Sequence, residues 1–181
     1  LFAIIKIRRA LGLGKPFEGN ENYEPEVTLF VAAYNEKEYL DEKVANAKSL
    51  NYPQEKVTQL WVTDGSDDGT PELLKKYKEV TVLLEPARNG MIAAMNRGMN
   101  HVKTPIVIFS DGNTSLGKDS IKEIVRLFRD SKVGCVSGEK RIYSKDVDSA
   151  AGAGEGMYWK YESQLKTWDA ELYSVVGAAG G

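Results

Sequence analysis

Five short runs rich in apolar and β-branched residues, VTLFVAA (27–33), TQLWVT (58–63), VTVLL (80–84), PIVIFS (105–110) and VGCVSG (133–138), alternate with stretches of helical length. This alternation constrains the fold more than any other feature. Continuous apolar runs of that length read as strands buried on both faces. Between them, Leu40, Val44 and Ala47 share one face of a first helix, and Thr70 with Pro71 offers an N-cap and first-turn pair for a second. Met91, Ala94, Met95, Gly98, Met99 and Val102 form the stripe of a third, and Ile121, Ile124, Val125 and Phe128 that of a fourth. A βαβαβ order predicts an α/β fold with a mostly parallel sheet and helices on both faces.

In such a sheet ligands bind at the carboxyl ends of the strands. Two aspartates stand there: Asp64, opening DGSDDGT after the second run, and Asp111, in FSDGNT after the fourth. Ionised carboxylates only accept hydrogen bonds, and oxygen ligands suit hard divalent cations, so the pair fits a ligand carrying hydroxyls, N–H donors and a metal-bridged diphosphate. The bland alternative is that each Asp-Gly merely starts a turn.

Composition narrows the partners. With 24 Lys and Arg against 26 Asp and Glu, the net charge of -2 leaves no overall basic field to recruit nucleic acid, so an anion must be bound locally. The lone Cys135 excludes an internal disulfide, favours a reducing compartment and reads as a small core residue. His101 is the only histidine and reads as a helix-end or surface residue. The first run leads into Ala33-Tyr34-Asn35-Glu36 instead of the glycine-rich turn of a dinucleotide-binding domain, and neither a P-loop nor a G-x-S-x-G elbow occurs.

Taken in order, AAYNE (32–36), DGSDDGT (64–70), RNGMIAAMNRG (88–98) and SDGNT (110–114) resemble the motif set of family 2 glycosyltransferases of the GT-A fold, a Rossmann-like type. VSGEKRI (136–142), EGMYWKYE (155–162) and VVGAAGG (175–181) resemble the processive, cellulose-synthase-like bacterial branch. The resemblance implies transfer of a sugar from a nucleotide diphosphate donor, usually UDP-linked, to a polysaccharide or other glycan acceptor with inversion at the anomeric carbon. It implies a divalent cofactor, Mg²⁺ or Mn²⁺, and a full-length protein at the cytoplasmic face of a membrane. Ala33, Tyr34 and Glu36 are expected to line the nucleotide pocket, Asp64 to accept the base N–H, and Gly90 and Asn96 to lie near diphosphate and ribose. Asp111 and Asn113 take the outer positions of the D-x-D motif that holds ribose and metal.

The chain departs from the family pattern at several places. Asn113 replaces the second aspartate of many members, and Met91 stands where this branch often has lysine. The family's catalytic base is a carboxylate beyond the VGAAGG region, and the Q-x-x-R-W acceptor motif lies later still, so the base is expected beyond Gly181 and the domain to be incomplete at its C-terminus. Glu155 and Glu162, on a helix with Tyr158, Tyr161, Leu165, Trp168 and Leu172, read as a solvated face or acceptor-side contacts; the aromatics read as packing on the sheet, with a glycan path or contact with membrane segments as the alternative. Residues 1–25 form a basic and apolar segment plus linker before a domain at 26–181, and LFAIIKIRRALGLGK is either the end of a membrane helix or a surface-packed helix. Two other functions stay open, a truncated or non-catalytic nucleotide-sugar binding module and a sugar nucleotidyltransferase. The latter's glycine-rich first loop is replaced by AAYNE.

Overall fold

The computed structural model describes residues 10–11, 23–139 and 161–168. The chain falls into two compact units, residues 20–129 and a second made of 1–19 with 130–181.

The first unit is an α/β sandwich. Its elements run β1 (Val27–Ala33), α1 (Lys37–Ser49), a 3₁₀ turn (Gln54–Lys56), β2 (Val57–Thr63), α2 (Thr70–Leu74), β3 (Thr81–Leu83), α3 (Met91–Met99), β4 (Ile106–Asp111), α4 (Ser120–Val125) and a closing 3₁₀ turn (Arg126–Arg129). The four strands are all parallel in the order β3-β2-β1-β4. β1, in the middle, is buried almost throughout, as a strand covered on both faces must be. Alternate residues face opposite sides. Leu29, Val31, Trp61, Ile106 and Ile108 meet α1 (Leu40, Val44, Ala47), α2 (Leu74) and α4 (Ile121, Val125) on one face. Phe30, Leu60 and Val62 meet Ala94 of α3 on the other. Burying such side chains stabilises by about 1.5–3 kcal/mol each, and this sets which face each helix covers.

Register brings the carboxyl ends level. Ala33 lies opposite Thr63, Ala32 opposite both Val62 and Asp111, and Val62 opposite Leu83. The loops after all four strands therefore emerge along one edge.

The structure corrects several sequence expectations. The run VGCVSG is not a fifth strand: residues 133–138 have no regular secondary structure and Cys135 is exposed, not a core residue. Gly134 and Gly138 give the run little to pack and weaken strand formation. The N-cap of α2 is Gly69, with Thr70 the first helical residue and buried. The stripe of α3 reaches the core at Ala94, Met95, Gly98 and Val102, while Met91 and Met99 are exposed. His101 is exposed just past the end of α3, as expected.

In the second unit, residues 161–168 are helical, with Lys166 paired to Glu162 at 2.8 Å, Tyr161 exposed and Leu165 half-buried. Glu155, Tyr158, Leu172, the VVGAAGG run, most of EGMYWKYE and most of the N-terminal apolar segment lie outside the described residues. Among the described residues no helix is long and apolar enough to cross a membrane.

Candidate functional site

Three loops at the carboxyl edge of the sheet are tied to one another by side chains from the sequence motifs. The loop after β1 is laced to the loop after β2. Asn35, in a left-handed conformation at φ 55°, donates from Nδ2 to Asp67 and accepts the Asp67 N–H, while its own N–H reaches the Ser66 hydroxyl. Asn is among the few residues that take this backbone without large strain. The Glu36 N–H donates to the Thr70 hydroxyl at 3.0 Å, and Asp68 accepts the N–H groups of Lys37 and Thr70. Thr70 thus serves as a loop anchor.

Asp64, the first residue after β2, is almost fully buried. Its Oδ2 accepts the backbone N–H groups of Asn89 and Gly90 at 2.9 and 2.6 Å, clamping the turn that starts α3. The chain needs glycine at position 65, where φ is +71° and a Cβ would stand 2.8 Å from the backbone N of Arg88. Asp64 Oδ1 is buried without a hydrogen bond; the Nη1 of Arg97 lies 3.8 Å away, and the same guanidinium donates from Nη2 to the Thr63 carbonyl at 2.6 Å. A buried acceptor without a hydrogen-bond donor is unusual in a folded protein, and here the Arg97 guanidinium is the charge that faces it.

At the rim, the exposed Tyr34 ring is covered by the Arg88 guanidinium, centred 4.1 Å from the ring centroid, with Arg88 Nη1 also donating to the Tyr34 hydroxyl at 3.3 Å. Gly90 is the N-cap of α3 at φ 92°, so the first N–H groups of that helix follow directly after it.

Glu36 and Asp111 approach each other across β1 and β4. A Cβ on Gly112 would stand 3.0 Å from Glu36 Cγ, so the Glu36 side chain lies against the turn after β4. The Glu36 carboxyl titrates above its ordinary value, first because it is partly buried and then because Asp111 and Asp68 repel its charge. Beneath that turn lies Lys43, only 2% exposed, whose ammonium donates to the Ser110 hydroxyl at 2.6 Å and to the Thr114 carbonyl. Burial pushes its pKa down to about 8, with Asp111 pulling the other way.

The sequence-predicted residues thus fall into two groups. Ala33, Tyr34, Glu36, Asp64, Gly90 and Asp111 lie at or beside the strand ends, and exposed Asn113 is two residues beyond β4. Asn96 is exposed within α3, two positions from Ala94, which faces the sheet; that spacing turns it away from the sheet face. Sequence reasoning passed over Lys43, Arg88 and Arg97. A lysine three residues after Leu40 and four before Ala47, within the apolar stripe of α1, was the available signal for the first.

Among the described residues no three His, Cys, Asp or Glu side chains are grouped to hold a metal. The donor chemistry nonetheless suits a hard cation in part: Asp111 offers a carboxylate at the edge and Asn113 an exposed amide carbonyl, with a bound diphosphate able to complete the shell.

Residues 28–180 match the family described as Glycosyl transferase family 2. Over 124 residues the chain is 32% identical to a poly-beta-1,6-N-acetyl-D-glucosamine synthase of Staphylococcus aureus, a match covering 66% of this chain and 29% of that protein. Over 165 residues it is 28% identical to a beta-monoglucosyldiacylglycerol synthase of Trichormus variabilis, covering 86% of this chain and 34% of that one. The chain thus spans about a third of the length of these relatives. Among solved structures, mannosyltransferase PcManGT from Pyrobaculum calidifontis, in complex with GDP-Man and Mn²⁺, superposes with a TM-score of 0.65 at 27% identity, over 76% of this chain and 43% of that one. TarS from S. aureus, in complex with UDP, shares the fold at a TM-score of 0.51 and 20% identity, over 54% of this chain and 30% of that one. The order of motifs, the parallel sheet with its level carboxyl edge and the match over most of its length agree: the chain belongs to glycosyl transferase family 2.

Proposed function

We propose that the carboxyl edge of this sheet binds a nucleoside diphosphate sugar, UDP-linked, and that the chain is the donor-binding part of an inverting glycosyltransferase that extends a glycan. The observation that carries this reading is Asp64: its Oδ1 is buried and without a hydrogen bond while its Oδ2 holds the loop that starts α3. In the proposal Oδ1 takes the base N–H and Tyr34, with Arg88, flanks the base. Ala33 and Glu36 line the pocket, and Gly90 with the first amides of α3 faces the diphosphate. Asn96 is proposed to act near the diphosphate and ribose only through the exposed side of α3. Asp111 and Asn113 would hold Mg²⁺ or Mn²⁺, which when bound supplies positive charge for the departing diphosphate.

Inverting transfer requires the acceptor hydroxyl to attack the anomeric carbon opposite the nucleotide. Its proton passes to a base as the anomeric bond to the phosphate oxygen breaks. The residues assigned here bind and orient the donor; the base is not among them. The poly-N-acetylglucosamine synthase relative supports a polysaccharide acceptor; a place at the cytoplasmic face of a membrane is proposed for the whole protein from the resemblance of its later motifs to the processive branch.

Calorimetry tests the reading. UDP should bind in Mn²⁺ or Mg²⁺ more tightly than in chelator, and more tightly than GDP or CDP. GDP is the sharpest competitor, given the GDP-Man in the mannosyltransferase structure. Equal affinity for the three nucleotides would remove the base contact assigned to Asp64. Asp111→Asn should erase most of the metal-dependent component, because no charged ligand is then left at the two positions. Asn113→Asp should tighten metal binding, and an unchanged metal titration would place residue 113 outside the coordination sphere.

A further inference from the structure

We propose that Lys43 is the positioning residue of the donor site, a buried ammonium that winds residues 110–114 around itself and so fixes where Asp111 and Asn113 project; the role rests on the donor-site reading above. Lys43 belongs to the face of α1 that packs on the sheet, beside Leu40, Val44 and Ala47. It is 2% exposed, although an ammonium taken out of water is costly unless it is well paired. Both of its hydrogen-bond partners are neutral: the hydroxyl of Ser110, the penultimate residue of β4, and the carbonyl of Thr114, three residues past Asp111. The two partners are also joined to each other and to the residue between them. Ser110 Oγ and Thr114 Oγ1 lie 3.1 Å apart, and the Thr114 hydroxyl donates to the Asp111 carbonyl at 3.1 Å. One cation therefore closes a loop whose outward side carries Asp111 and Asn113. A methionine would fill the same space at lower desolvation cost but could hold neither partner.

The fold supplies a comparison. One turn further along α1, the Asn46 amide donates to the Leu116 carbonyl at 2.9 Å and accepts the Leu116 N–H at 2.8 Å. Asn46 ties the same loop to the same helix, beyond the segment that bears Asp111 and Asn113. If attachment of the loop were all that mattered, losing either tether would have the same effect on ligand binding.

The test is UDP titration of the 181-residue chain by calorimetry, in Mn²⁺ and in chelator, for the wild type, Lys43→Met and Asn46→Ala. Lys43→Met is expected to weaken the Mn²⁺-dependent affinity by about 10- to 100-fold, the range seen when the groups supporting a metal ligand are removed. The affinity in chelator should stay near that of the wild type, and Asn46→Ala should leave both affinities close to wild type. Should Lys43→Met not fold, Lys43→Gln, which keeps one donor without the charge, should show a smaller loss in the same arm. Hydrogen exchange without nucleotide gives a second readout: the amides of Asn113 and Thr114 should exchange faster in the Lys43 variant while those of β1 do not. Unchanged Mn²⁺-dependent binding, equal loss in both arms, or a loss matched by Asn46→Ala would overturn the proposal. So would tighter binding, because Lys43 would then act as a competing charge. Absence of Mn²⁺-dependent UDP binding in the wild type would instead bring down the donor-site reading itself.

Discussion

Lys43 places an ionisable group where its protonation can be followed through stability. With a pKa near 8 in the folded chain against an ordinary 10.5, the folded state gives up this proton before the unfolded state does. Between these values the unfolded chain binds more protons, so stability rises with pH as the penalty of the buried charge is relieved. Tyr52, pushed up to about 12 by burial and then by Glu24 and Tyr23, and Tyr77, pushed up to about 12 by its hydrogen bond to Asp41 and then by burial, act in the opposite direction once pH passes 10. Urea denaturation between pH 8 and 10 should therefore show wild-type stability gaining on that of Lys43→Met, and parallel curves would mean that the lysine is neutral or solvated. At this scale the sequence was uneven. Asp64 and Asp111 were legible because an Asp-Gly directly after an apolar run is a local pattern. Lys43, Arg88 and Arg97 were not, because what distinguishes each of them is a partner far away in sequence: Ser110 and Thr114, Tyr34, and Thr63 with Asp64.

Among the elements, α3 shows how close packing settles a residue choice. Gly98 lies so near the sheet that a Cβ would run into the Phe30 ring and stand 2.8 Å from Val62 Cγ2. Gly98→Ala would raise helix propensity by about 1 kcal/mol. Neither the buried Phe30 ring nor the buried Val62 side chain can give way freely, and overpacking a core of this kind costs about 1–3 kcal/mol. The substitution should therefore lower the midpoint of urea unfolding, and a variant more stable than the wild type would show that α3 stands further off the sheet. The four strands of the first unit were readable because continuous β-branched runs have few other places to go in a chain this size. The fifth run was misread. VGCVSG has the composition of a strand end, but its two glycines supply no side chains to bury, and residues 133–138 remain irregular with none of them buried. The methionine stripe was read only in part: helical spacing gave the correct face at Ala94, Met95, Gly98 and Val102, while Met91 and Met99 are exposed.

For the whole molecule, family membership reaches across both compact units, from residue 28 to residue 180, while the proposed donor site lies within residues 20–129. The net charge of -2 offers a diphosphate no long-range attraction, so under the proposed function its capture depends on groups at the strand ends. That places weight on the Asp64 clamp. Because the Asn89 and Gly90 amides are already fastened to a carboxylate on a rigid strand end, the start of α3 stands ready before any nucleotide arrives. Encounter and capture should then be a single event: in stopped-flow mixing, the observed rate should climb linearly with UDP concentration instead of reaching a plateau set by a slow rearrangement. Asp64→Ala, which frees the two amides, should introduce that plateau, turning a site that waits for its ligand into one that must first assemble around it.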